Sequence, residues 1–215
     1  KLSDQYIVQI LDTLKDQGLL DDTLIIRTAD HGEMGMTHGG QRQKNFNFYE
    51  ETINVPLVYS NPRLFPKGRS TEALVSHVDF LPTLASLYNA PESARADWQG
   101  EDYSQVILDP TQPGPQDYIV FTFDDYLSGQ ATNIYPRPNN RIVSVREARY
   151  KLAEYYDPTG EATSEWEMYD LVSDPLEVNN LARPRYKRTP SEQDQYERLR
   201  KKLKTIKRER LQPLD

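Results

Sequence analysis

The stretch that most limits the fold runs from Ser3 to Gly32. Ser3 is a candidate N-cap for an amphipathic helix in which Tyr6, Ile7, Ile10, Leu11 and Leu14 recur at helical spacing until Gly18 stops it. The apolar run Leu24, Ile25 and Ile26 follows at once, inside a Thr23 to Thr28 segment with the length and β-branched content of a strand. A helix feeding a strand so directly is the αβ half of a βαβ unit, which calls for an earlier parallel strand beside it. No such strand precedes residue 1. The expectation is that this chain is the C-terminal part of a larger α/β domain.

The same strand gives way to Asp30, His31 and Gly32, at the carboxyl edge where ligands bind in open α/β sheets. Carboxylate beside imidazole suits a divalent cation, since mixed oxygen and nitrogen donors accept Ca, Mg, Mn or Zn to differing degrees. Glycine lets the backbone turn away and a ligand approach. The triplet by itself also fits a turn with an Asx hydrogen bond and a surface histidine. Gly35, His38, Gly39, Gly40, Arg42 and Lys44 then add a second imidazole, loop-forming glycines and two cations. Cations beside a metal point to an anionic substrate whose charge develops during reaction, as sulfate or phosphate esters require. His38 is a candidate proton donor to a leaving oxygen, and Lys44 a candidate point charge for an anionic oxygen. The alternatives are a loop hydrogen bond for His38 and a solvated charge for Arg42.

Downstream, Phe46 to Thr52 reads as a short helix or turn, Val55 to Tyr59 as a strand, and Ala73 to Val75 as a third short strand. Val78, Leu81, Leu84, Ala85 and Tyr88 give a further helix, with Pro82 tolerated in its first turn. This alternation predicts a mostly parallel sheet with covering helices. Pro91 to Pro115 is poor in apolar runs and reads as a linker. Beyond it the period changes. Asp117 to Phe123, Arg141 to Val145, Tyr150 to Tyr156 and Trp166 to Leu171 predict an antiparallel meander of about four strands, and turn residues such as Pro136, Pro138, Asn140 and Gly160 separate them. Ser191 is the candidate cap of a last helix whose Tyr196, Leu199, Leu203 and Ile206 form one stripe.

Composition narrows the function classes. The 215 residues are 37% hydrophobic and 27% charged, which is ordinary for a globular protein with a sizeable core. No apolar run approaches the ~18 residues of a membrane span, and Lys1 to Ser3 show no signal architecture. The compartment, cytoplasmic or periplasmic, stays open. With no cysteine, disulfides, thiolate metal sites and a cysteine nucleophile are excluded within these residues. The net charge of -7 hides a segment, Arg183 to Arg210, with twelve Lys/Arg against four Asp/Glu. With only Tyr186 and Tyr196 among its cations and no glycine, it reads as a solvated helix rather than a nucleic-acid surface.

The run Thr28, Asp30, His31, Gly32, Gly35, His38, Lys44, Tyr49, Glu50, Val55, Pro56 resembles the second conserved block of the sulfatase family, within the alkaline-phosphatase superfamily. Val75, Ser76, His77, Val78, Asp79, Leu81, Pro82 and Thr83 resemble that family's strand-to-helix segment. Arg149, Tyr150, Lys151 and then Met168, Tyr169, Asp170, Leu171, Asp174, Pro175, Glu177, Asn179, Asn180 and Leu181 resemble the signature of its small C-terminal domain. The resemblance implies an α/β sulfatase-like mixed sheet with flanking helices, plus a small C-terminal antiparallel sheet with a terminal helix. It places residues 1–112 in the large catalytic domain and 113–215 in the small one.

By the same resemblance Asp30 and His31 are metal ligands, His38 contacts the ester oxygen or sulfate, and Lys44 grips a substrate oxygen. The interval from His38 to Lys44 is one residue longer than the family pattern, which keeps Arg42 and Asn45 as alternatives. His77 and Asp79 read as structural, with a pocket-lining role for His77 as its alternative. The implied reaction is metal-dependent hydrolysis of a sulfate ester by a formylglycine nucleophile, with calcium as the usual ion. The nucleophile's Cys/Ser-x-Pro-x-Arg motif and the early Asp pair are absent from these residues. Both are therefore expected in a missing N-terminal half, the implied partner, without which the fragment lacks turnover. His31 stands where many arylsulfatases have Asn, which keeps open a phosphonate monoester or phosphodiester hydrolase using Mn or Zn. A non-catalytic anion-binding module is the reading from another class. The alcohol portion of the substrate is not legible; loops such as Asp124 to Asn140 are expected to form part of the pocket rim.

Overall fold

A computed structural model describes residues 2–91, 93, 98–124 and 139–211. The first helix, α1 (Leu2–Asp16), starts two residues earlier than a Ser3 cap would allow, and Gly18 ends it with φ of +68°. Strand β1 (Ile25–Arg27) then pairs with β2 (Val58–Ser60), Ile26 opposite Tyr59. The pairing is antiparallel, which corrects the parallel expectation for these two strands. Between them lie only two short turns, α2 (Thr37–Gly40) and α3 (Glu50–Ile53), not the crossover helix a parallel return needs. Buried Asn61 holds the ribbon's end. Its amide donates to the Asp21 and Thr23 carbonyls at 2.8 and 3.0 Å, and its oxygen accepts from the amides of Arg63 and Leu64.

Ala73 to Val75 is not a strand; it leads into α4 (Phe80–Leu87). A capping box at Ser76 and Asp79 begins that passage, and buried Asp79 accepts from the Ser76 amide, the Glu101 amide and the Gln116 side chain. The expected linker from Pro91 to Pro115 is in part folded. It contains α5 (Ser104–Leu108), with Tyr103 and Val106 buried, because Tyr103 hydrogen-bonds Tyr59 and its amide bonds Thr83.

The C-terminal sheet is the expected meander, in order β3 (Tyr118–Phe123), β4 (Arg141–Glu147), β5 (Tyr150–Tyr156), β6 (Glu165–Asp170). Pro136, Pro138 and most of the 124–140 loop lie outside the described residues. Alternation sends β4 side chains to opposite faces. Val143 and Val145 join Leu152 and Met168 under α6 (Pro190–Arg210), whose Leu199, Leu203 and Ile206 are buried on them. Ile142, Ala153 and Tyr169 pack on Phe48 from the segment before α3. The cap of α6 is Thr189, not Ser191, in a capping box with Glu192. Pro190 occupies the first helical turn, where its missing amide costs nothing.

Many cations of α6 are matched by acids of the sheet: Arg198 and Lys202 to Glu147, and Lys207 to Glu154. Among the described residues no helix is long and apolar enough to cross a membrane.

Candidate active site

The end of β1 brings Asp30 and His31 to the surface side by side. Asp30 Oδ2 lies 3.4 Å from His31 Nε2, with the aspartate side chain 86% exposed and the histidine 40%. The other ring nitrogen, Nδ1, is 2.8 Å from the Gly32 carbonyl. A carbonyl only accepts, so Nδ1 carries a proton and donates it. A neutral imidazole so fixed turns the Nε2 lone pair toward the Asp30 carboxylate. Backbone-oriented imidazole plus carboxylate is a donor pair fit for a divalent metal.

Two contacts hold this corner. His77 Nε2 donates to the Ala29 carbonyl at 2.9 Å, and the Gly32 amide donates to the Thr52 carbonyl at 2.9 Å. His77 thus meets the strand end through backbone. A Cβ on Gly32 would stand 1.9 Å from the Glu51 carbonyl oxygen, so glycine is required here for close approach rather than for torsion.

His38 reaches the site by another route. The glycine-rich loop closes on itself through Met34 and Met36 amides bonded to the Gln43 and Gln41 carbonyls, with Met34 fully buried. Inside it His38 has a left-handed backbone, φ 47° and ψ 51°. Its ring stacks on Tyr49 at 3.7 Å between centroids, and Nε2 lies 3.5 Å from Glu51 Oε2. Behind the stack are Tyr169 and, at the far end, Tyr155, which donates to Glu167 at 2.9 Å. Burial raises Glu167 above the ordinary carboxylate range, and burial with the nearby Glu167 charge raises Tyr49.

The structure therefore groups Asp30 with His31, and His38 with Tyr49 and Glu51. The two groups meet at α3, since Gly32 and His38 both rest on Glu51. Lys44 is half-buried and forms no ion pair among the described residues. Arg42 lies on the surface with Nε 3.2 Å from Met36 Sδ. Asn45 is half-buried, and its carbonyl receives the Asn47 amide at 3.5 Å. Sequence reasoning missed Glu51 and the stacking role of Tyr49. The available signal was the aromatic and acidic run Phe48, Tyr49, Glu50, Glu51.

Among the described residues, His38, Glu51 and Glu177 place potential ligand atoms within 4.8 Å of one another. Glu177 is already engaged: Lys151 Nζ lies 2.5 Å from its Oε1, and its Oε2 accepts the Glu50 amide at 2.6 Å. A cation there would compete with a buried ammonium. The exposed Asp30 and His31 pair fits a metal better.

Residues 1–90 match the protein-family model described as Sulfatase. The chain is 31% identical over 180 residues to an N-acetylglucosamine-6-O-sulfatase of Bacteroides thetaiotaomicron, a match covering 83% of this chain and 30% of that protein. The chain belongs to the sulfatase family. It spans about a third of the length of the curated sulfatases it matches. Among solved structures, one in complex with its substrate D-glucosamine-2-N,6-O-disulfate superposes with a TM-score of 0.77 at 24% identity, covering 95% of this chain and 38% of that one. The phosphonate monoester hydrolase of Agrobacterium radiobacter gives 0.70 at 27% identity, covering 94% and 39%. The sulfatase-like mixed α/β fold with its small antiparallel sheet and terminal helix is thus the fold of this chain.

Proposed function

We propose that this chain carries one side of the active site of a metal-dependent sulfuric ester hydrolase. The observation that supports it is the Asp30 and His31 pair at the strand end, with Nδ1 of the imidazole committed to the Gly32 carbonyl and Nε2 facing the carboxylate. In this reading Asp30 and His31 hold a divalent ion, calcium first. The ion would supply positive charge to the ester's developing oxyanions. His38 contacts the ester and donates a proton as the alcohol departs, with its ring plane set by Tyr49 and its Nε2 facing Glu51. Lys44 holds a substrate oxygen as a point charge. The formylglycine nucleophile belongs to polypeptide outside these residues, and residues 1–112 and 113–215 are the end of the catalytic domain and the small C-terminal domain. Small sulfate esters are the substrate class, in keeping with the sulfatases the chain resembles.

The test is Asp30→Ala in the complete polypeptide, read by bound metal and by turnover of an aryl sulfate. Loss of both is expected; unchanged metal content and turnover would overturn the assignment. A second reading, a phosphonate monoester hydrolase with Mn or Zn, draws on the imidazole in the donor pair and on the Agrobacterium neighbour. Comparing kcat/KM for aryl sulfate and aryl phosphonate decides between them, since the larger value marks the reaction the site stabilises better.

A further inference from the structure

Lys151 is fully buried at the second position of β5, opposite Tyr169 of β6. An ammonium taken out of water is costly unless every proton is bonded and its charge is met. Here two hydrogen bonds hold the ammonium, and a second carboxylate beside it adds to the charge that meets it. Nζ lies 2.6 Å from the Phe48 carbonyl, 3.1 Å from Glu50 Oε1 and 2.5 Å from Glu177 Oε1, and 4.4 Å from the Phe48 ring centre. Glu50 also receives Arg146 Nη2 at 2.9 Å, so two cations meet two carboxylates. Burial alone would raise both acids. Arg146 and Lys151 overcome it at Glu50, which lies below the ordinary range, whereas at Glu177 burial prevails and the group is raised.

What the cluster grips is one short segment. Phe48 contributes its carbonyl and ring, and Glu50 its carboxylate and, through Glu177, its amide. The next residues of that segment support the candidate site: Glu51 faces His38, its carbonyl sits against Gly32, and Thr52 accepts the Gly32 amide. Replacing a buried ion pair by apolar groups is often neutral or favourable for stability, so stability alone does not account for charge at this position.

We infer that Lys151, with Glu177, is a positioning residue of the active site, fixing the α3 turn so that His38 and the Asp30 and His31 pair keep their mutual placement. The inference rests on the catalytic reading above. It assigns the C-terminal sheet a part in the chemistry of residues more than a hundred positions earlier, without any contact to substrate.

The test uses the complete polypeptide with Lys151→Met/Glu177→Gln, which removes one charge of each sign and leaves Arg146 and Glu50 paired. Hydrogen exchange is followed in peptides spanning residues 30–36, with β4 and α6 peptides as internal reference, and kcat and KM are measured on an aryl sulfate. Exchange at 30–36 is expected to rise tenfold or more with the reference peptides unchanged, and kcat to fall tenfold or more while KM moves less than threefold. Wild-type exchange and kcat within twofold in a folded double variant would overturn the inference. If the double variant does not fold, Glu177→Gln alone is read the same way, with a rise of threefold or more expected and no change overturning it. Failure of the catalytic reading shows separately, as a wild-type protein without aryl-sulfate turnover, because the exchange measurement needs none.

Discussion

The amide of Gly32 donates to the carbonyl of Thr52 at 2.9 Å, and this bond joins the two halves of the candidate site. A methyl group at Gly32 would meet the Glu51 carbonyl oxygen at 1.9 Å, backbone against side chain with no flexible atom to give way. Gly32→Ala is therefore expected to separate the strand end from α3. Metal retention and aryl-sulfate turnover should both drop at least tenfold, whereas Gly18→Ala, whose cost is the left-handed φ of +68° and not a clash, should lower stability and leave both unchanged. Metal content and kcat/KM of the two variants check this.

Glu167 gives a pH signature. Burial raises it in the folded protein above its unfolded value near 4.5. The folded state thus holds this proton more tightly, so stability falls as pH rises above about 4.5 through the raised value. Glu167→Gln keeps an acceptor for Tyr155 and removes the charge. The variant should match wild type in Tm near pH 4 and exceed it at about pH 7.5. Thermal melts at the two pH values test the sign.

Asp170 titrates the opposite way. The Arg149 guanidinium, bonded to both carboxylate oxygens at 3.0 and 2.9 Å, holds it down to about 2 against burial. A depressed carboxylate stabilises the fold above its unfolded value, about 3.8, and that contribution is lost as pH falls toward about 2. Arg149→Met should lower Tm above about pH 4 and make no difference below about pH 2. Melts across that interval measure it.

Leu203 is fully buried between α6 and the sheet. Leu203→Ala should cost about 2–5 kcal/mol, the usual price of a core leucine with its cavity. Urea unfolding midpoints read the loss. Thr189→Ala, which removes the capping box at the same helix, should cost only about 1 kcal/mol.

Local pattern carried much of this architecture. A short aromatic-rich segment between turn residues located β5 to the residue, and the Leu199, Leu203, Ile206 stripe gave the buried face of α6, because each depends on neighbours close in sequence. The direction of β1 against β2 was not legible, since it is set by a return path made of turns. The short α5 hid inside a polar segment because its burial depends on Tyr59 and Thr83, far away in the chain. At the site, Asp30 with His31 stood out as adjacent residues. The pairing of His38 with Glu51, and of Phe48 with Lys151, joins positions that no local window contains.

That last separation bears on how the protein is made. Lys151 meets Phe48 across 103 positions, and the Glu177 carboxylate meets the Glu50 amide across 127. Contacts so distant in sequence form late, because the intervening loop must be closed before they reward it. During synthesis from the N-terminus, Asp30, His31 and His38 leave the ribosome well before the residues that brace them. The candidate site is thus expected among the last parts of the chain to mature, and a nascent chain ending before Glu177 would hold these side chains without the contacts that place them.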